Sequence, residues 1–176
     1  MGFHPVTLDE DPVAEADALY EALETVTEPI VFSFPNADFG SAALIERARA
    51  FCDGHGAHVV VNLPPAGFWG LLQHASLFLG NSSSGIMETP SLGLPCVNVG
   101  RRQQGRETAG NTVTVAADAE AIRRAMAEVG TAAFRARAAG VENPYGDGRA
   151  GERVVPILEG LIERERLLGK RGAARR

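Results

Sequence analysis

A chain of 176 residues, 45% apolar and 22% charged, has the size and make-up of a globular domain with a sizeable core. That excludes a disordered chain, and no apolar run approaches the roughly 18–20 residues of a membrane span. The net charge of −5 argues against nucleic acid as a partner.

In chain order, residues 12–27 place Val13, Ala16, Tyr20, Leu23 and Val26 at spacings of three and four, which predicts an amphipathic helix opened by acidic residues. Pro29 stops it, and residues 30–34 read as a short buried strand. The loop PNADFG (35–40) leads to a helix over 41–53 with Gly54 as its expected C-cap. HVVVNL (58–63) is a strand, a short helix covers 68–75, and 77–79 is a third strand ending in the polar loop GNSSSG (80–85). A helix near 84–93, a strand at 96–99, a polar loop over 100–111 and a strand at 112–115 follow, and helices near 118–129 and 152–168 close the chain. Apolar strands alternating with amphipathic helices predict an α/β fold, a three-layer Rossmann-like domain with a parallel sheet. The expected organisation is a single domain over 1–165 and a basic tail over 166–176, whose charges are diluted by small residues.

Ligands of such sheets bind outside the carboxyl ends of the strands. The loops expected there are HPVT (4–7) after a short N-terminal strand, PNADFG, GNSSSG and GRRQQGRE (100–107), and all four are polar. Together they offer an imidazole (His4), an amide (Asn36), three hydroxyls (Ser82, Ser83, Ser84) and the guanidinium groups of Arg101, Arg102 and Arg106. That set suits an anionic, hydroxylated ligand. Main-chain N–H groups at a helix start attract phosphate, although Asn-Ser-Ser before a helix is also an ordinary N-cap. Glu88, one turn on, can accept both cis-hydroxyls of a ribose, or can simply be a carboxylate placed near a helix N-terminus. The arginines match a diphosphate through bidentate contacts, or form a solvated loop with Glu107. His4 has the alternatives of a general acid and a solvent-facing terminal residue. His55 and His58 read as surface residues without a third metal ligand, and His74 ends a short helix, where a cation suits the helix C-terminus. No metal and no cofactor is expected: no carboxylate cluster suggests Mg²⁺, and Lys170 is the sole lysine, so a Walker-type lysine is missing. Cys52 and Cys96 lack any CxxC or zinc spacing, and the N-terminus lacks a signal-peptide pattern, so a cytoplasmic protein with free thiols is expected.

Read together, FHPVT (3–7), FPNADFGS (34–41), GNSSSGIMETPSLGLP (80–95), GRRQQGRE with Asn111, and NPYGDG (143–148) resemble the C-terminal half of UDP-N-acetylglucosamine 2-epimerases. The resemblance implies one half of a glycosyltransferase-B-type fold that binds UDP. The positions matching Ser82 and Ser83 contact the pyrophosphate, Glu88 the ribose and Arg102 the nucleotide; Asn36 falls on a ligand-contacting asparagine and His4 in the active site. Family members eliminate UDP to a 2-acetamidoglucal. HPVT and RQQGRE are similar to the hydrolysing, sialic-acid-pathway branch, which releases N-acetylmannosamine. The family's N-terminal domain, with its acidic residues, is not matched, so the chain alone is expected to bind a UDP-sugar without turnover until that domain or a partner chain completes it. Homo-oligomerisation is compatible with the resemblance. The rival expectations are the donor-binding half of a glycosyltransferase and a non-catalytic UDP-sugar-binding fragment.

Overall fold

The computed structural model describes residues 1–6, 14–34 and 40–160, in two compact units, Met1–Pro144 and Tyr145–Arg176. In the first unit, β1 (Val31–Phe34) pairs in parallel with β2 (His58–Val61). Separately, β3 (Phe78–Gly80), β4 (Cys96–Val99) and β5 (Thr112–Val115) form a parallel three-stranded ladder. Residues 1–2 join the two pieces. The Met1 amino group donates to the Val31 carbonyl (2.5 Å) and the Ser33 N–H to the Met1 carbonyl (2.9 Å). On the other side the Gly2 N–H donates to Leu79 (3.1 Å), and the Asn81 N–H donates back to Gly2 (3.1 Å). The spatial order is therefore β2, β1, residues 1–2, β3, β4, β5. With residues 1–2 counted as the first strand, this is the doubly wound 3-2-1-4-5-6 arrangement, and its switch point lies between Gly2 and Gly80.

Side-chain alternation divides the core into two faces. Leu79, Val97 and Val99 point into the larger cluster with Phe32, Phe34 and residues of α1 (Ala16–Leu23), α2 (Ser41–His55) and α5 (Ala119–Val129). Phe78 and Cys96 point the other way, into a smaller cluster with Leu72 of α3 (Pro65–His74) and Leu94. The fold is thus a parallel sheet between helical layers. Tyr20, Phe32 and Phe51 pack ring to ring at centroid distances of 5.7–5.9 Å and tie α1 and α2 to β1. Burial pushes the Cys96 thiol up to about 12, so it serves as apolar packing.

Several element boundaries differ from expectation. Within 12–27, the described helix is Ala16–Leu23. Gly54 lies inside α2, and Gly56 (φ +60°) is the cap; His55 stacks on Phe51 at 4.0 Å, which carries the helix past Gly54. α3 begins at Pro65, early in the helix where a missing N–H costs nothing. The helix expected over 84–93 is a single turn, α4 (Ser84–Met87), followed by a 3-10 turn over Thr89–Leu92; Pro90 has no N–H to continue the α-ladder and Gly93 (φ +59°) ends it. Helix α6 (Ala132–Ala139) is not foreseen from the pattern; Thr131 caps it by accepting from the Phe134 N–H at 3.2 Å. In the second unit α7 (Ala150–Glu159) is the described part of the last expected helix, and its Val154, Val155, Ile157 and Leu158 are exposed. Asp147 takes a two-bond contact from Arg153 at 2.8 and 2.7 Å before it. The rest of that helix and the 166–176 tail lie outside the described residues.

Gly80 carries the joint. Its φ is +140°, and a Cβ there would stand 2.0 Å from the Gly2 carbonyl oxygen. Gly80→Ala is expected to destabilise the chain by more than ~3 kcal/mol, through backbone strain and a lost sheet junction. Urea denaturation checks this, and an unchanged midpoint would contradict the assignment.

Candidate functional site

The crevice at the switch point is built around Asn81, which is fully buried. Its side chain forms a reciprocal pair with the backbone of His4. The His4 N–H donates to Asn81 Oδ1 at 2.7 Å, and Asn81 Nδ2 donates to the His4 carbonyl at 2.8 Å. The Asn81 carbonyl in turn accepts from Arg102 Nη1 (3.1 Å) and Gln103 Nε2 (2.7 Å). One residue therefore fastens the first strand's exit, the serine loop and the 100–108 loop to each other. An amide is suited to this because it offers a donor and an acceptor on one rigid plane.

The serine loop continues from this hub. Ser82 Oγ accepts from the Ser84 N–H at 3.3 Å, and Ser84 Oγ donates to Glu88 Oε1 at 3.0 Å. Gly85 lets the loop close down: a Cβ there would lie 2.9 Å from Cys96 Sγ and from the Phe78 ring. A cavity of about 290 Å³ opens beside it, lined by the polar His4, Ser82, Ser84 and Glu88 and by the apolar Leu63, Pro65, Phe68 and Trp69. His4 itself is buried rather than solvent-facing. Another hollow, of about 520 Å³, lies toward the amino-terminal ends of the strands. Its lining is mostly apolar, and although Glu28, His74, Ser76 and Arg135 also reach it, none of the polar loops at the carboxyl ends of the strands does, so the switch-point cavity is the candidate site.

The expected residues fall into three groups. His4, Ser82, Ser84 and Glu88 come together in one wall. Ser83 stands behind it as the N-cap of α4, its carbonyl accepting from the Ile86 and Met87 N–H groups. Arg102 reaches the hub through the Asn81 carbonyl, Arg106 Nη1 lies on Met87 Sδ at 3.2 Å, and Arg101 lines a different cavity. Asn36 lies outside the described residues. Because α4 is one turn long, the site offers individual N–H groups and hydroxyls more than a helix dipole. Leu63, Pro65, Phe68 and Trp69 were not anticipated from sequence, although Phe-Trp beside a Pro-Pro turn is a signal that could have pointed to an exposed aromatic wall. Among the described residues no group of three His, Cys, Asp or Glu could hold a metal ion, and no helix is long and apolar enough to cross a membrane.

Fold and crevice together define a Rossmann-like domain with a polar site at its switch point. The profile of the UDP-N-acetylglucosamine 2-epimerase family matches residues 1–159, and the chain belongs to that family. The chain is 30% identical over 169 residues to the UDP-N,N'-diacetylbacillosamine 2-epimerase (hydrolyzing) of Legionella pneumophila, covering 96% of this chain and 44% of the relative. A crystal structure of a UDP-N-acetylglucosamine 2-epimerase from Listeria monocytogenes is similar with a TM-score of 0.70, 24% identity, and coverage of 93% of this chain and 44% of that one. The Methanocaldococcus jannaschii UDP-GlcNAc 2-epimerase in complex with UDP-GlcNAc and UDP gives 0.64 and 22%, covering 82% and 39%. The fold is accordingly that of one half of a glycosyltransferase-B-type molecule. The chain spans about half the length of the relatives it matches.

Asn81→Ala is expected to cost roughly 2–4 kcal/mol, since it leaves a buried N–H and a buried carbonyl of His4 without partners. Equilibrium denaturation measures this, and a loss within error of zero would remove Asn81 from its place as the hub.

Proposed function

We propose that this chain is the UDP-binding half of a UDP-N-acetylglucosamine 2-epimerase of the hydrolysing kind. The observation that carries the reading is the one cavity that His4, Ser82, Ser84 and Glu88 share with Leu63, Phe68 and Trp69. A nucleoside diphosphate needs both kinds of lining. The base takes the flat apolar wall of Phe68 and Trp69, the ribose hydroxyls donate to Glu88, and the pyrophosphate receives donors from the serine loop. Ser84 holds the Glu88 carboxylate in place for the ribose. At about 290 Å³ the cavity is at the low end for small-molecule sites, which suits a nucleoside and leaves the sugar outside it.

In this reading His4, clamped by its backbone, stands where UDP departs and can hydrogen-bond or protonate the leaving phosphate. Elimination of UDP gives a 2-acetamidoglucal, and addition of water gives N-acetylmannosamine. The groups that abstract and return the carbon-bound proton belong to the part of the family fold this chain does not span, either on a preceding domain or on a partner chain. HPVT and RQQGRE, and the name of the Legionella relative, favour the hydrolysing branch.

The test is a metal-free calorimetric titration of the chain with UDP, with ADP and CMP as controls. Selective UDP binding without turnover of UDP-N-acetylglucosamine is expected. Equal binding of ADP, or turnover by the chain alone, would overturn the reading. Glu88→Ala is expected to weaken UDP by about 1.5–3 kcal/mol for each ribose hydrogen bond lost, the range for bonds to a charged acceptor. Equal affinity of the variant and the parent would refute the ribose assignment.

A further inference from the structure

A third cavity, of about 560 Å³, is lined by the 100–108 loop and by residues at the carboxyl ends of β4 and β5. Among the described residues no side chain lines both this cavity and the switch-point cavity. Three of its lining residues, Glu15, Asn98 and Gln103, carry a buried side-chain oxygen without a hydrogen-bond partner among the described residues: Glu15 Oε2, Asn98 Oδ1 and Gln103 Oε1. Asn98 and Gln103 are only 3% and 5% exposed. Buried unpaired acceptors are costly, and three around one hollow are unusual.

The orientations are not interchangeable. Gln103 Nε2 is committed to the Asn81 carbonyl at 2.7 Å, and turning the amide over would set oxygen against oxygen. Asn98 Nδ2 faces Thr114 Oγ1 at 3.4 Å. Glu15 accepts from the Arg101 backbone N–H, and its carboxylate fits because residue 100 is glycine: a Cβ there would lie 2.1 Å from Oε2. Burial raises the Glu15 carboxyl above its ordinary value, in keeping with a carboxylate held away from water.

The lining also selects the ligand's charge. An anion would meet a carboxylate and two amide oxygens, and a cation would meet Arg101 and Arg106. A hydroxyl group does both jobs, donating to an orphan oxygen while accepting from a guanidinium. We propose that this cavity is a second binding site, for a neutral polyhydroxylated ligand such as a free sugar. It is independent of the nucleotide reading. Gln103 links it to the first site through its hydrogen bond to the carbonyl of Asn81.

The experiment follows the side-chain amide signals of Asn98 and Gln103 by NMR in the full chain. The probes are N-acetylmannosamine, N-acetylglucosamine and glucose, each with and without saturating UDP. Saturable shifts at both amides that persist with UDP present are expected. Absence of such shifts for all three sugars would overturn the proposal and leave ordered water as the partner of the three oxygens. Shifts confined to Phe68 and Trp69 and abolished by UDP would also overturn it, since the sugar would then be using the first cavity. Asn98→Val, between buried Val97 and Val99, is expected to retain UDP affinity and to weaken the sugar at least about fivefold, the loss of one hydrogen bond. Glu15→Gln, which lies outside every strand, gives the same fivefold test. Parent-like sugar affinity in a folded variant refutes the site, whereas loss of UDP binding in the parent chain refutes only the nucleotide reading.

Discussion

The close approach of Gly2 to Gly80 is the constraint on which the rest of this structure depends. Two backbones meet where a single methyl group would overlap a carbonyl oxygen, and that contact turns a two-stranded ladder and a three-stranded one into a single sheet. The switch point exists because residues 1–2 fit between β1 and β3. Everything polar in the candidate site leaves the sheet within a few residues of that contact: His4 on one side, Asn81 to Glu88 on the other. A doubly wound sheet places its crevice where the chain reverses direction of winding. Here that general rule comes down to two missing side chains.

The second organising element is an economy of fastening. Asn81 is buried and uses both its side chain and its carbonyl, so three loops share one fixed point. Arg102 contributes to this by holding backbone, which places its guanidinium beside the serine loop rather than in the cavity wall. The short α4 has a related effect. With one helical turn the polarity of the loop is local, set by individual N–H and hydroxyl groups, and the geometry of the Ser82–Ser84–Glu88 chain matters more than summed dipoles.

Much of this was legible in the amino-acid sequence, and what was not has physical reasons. Strands such as CVNV and TVTV stand out because alternating or continuous apolar runs leave little choice of period. The polar loops at their carboxyl ends announced His4, Ser82, Ser84 and Glu88, since buried sheets tolerate such residues chiefly at their ends. Helix α6 escaped because AAFRARAA buries only Phe134 and Ala138, too few apolar positions to set a period. Gly54 looks like a cap because glycine is common just past helix ends, but α2 runs on to His55, which stacks on Phe51. The aromatic lining of the cavity was invisible for a different reason: Leu63, Phe68 and Trp69 look like ordinary core residues until the fold leaves them lining a crevice. Asn81 resembled a helix cap, and only its pairing across 77 positions with His4 reveals its use.

Trp69 is the sole tryptophan of the chain, and it lines the switch-point cavity with about a third of its surface in water. The protein's indole emission therefore comes from one place. A ring stacked against that wall removes the indole from solvent and shifts or quenches its light, while events elsewhere in the sheet leave it nearly unchanged. The molecule thus carries its own optical gauge of occupancy, installed by the same residue that shapes the apolar lining of the crevice.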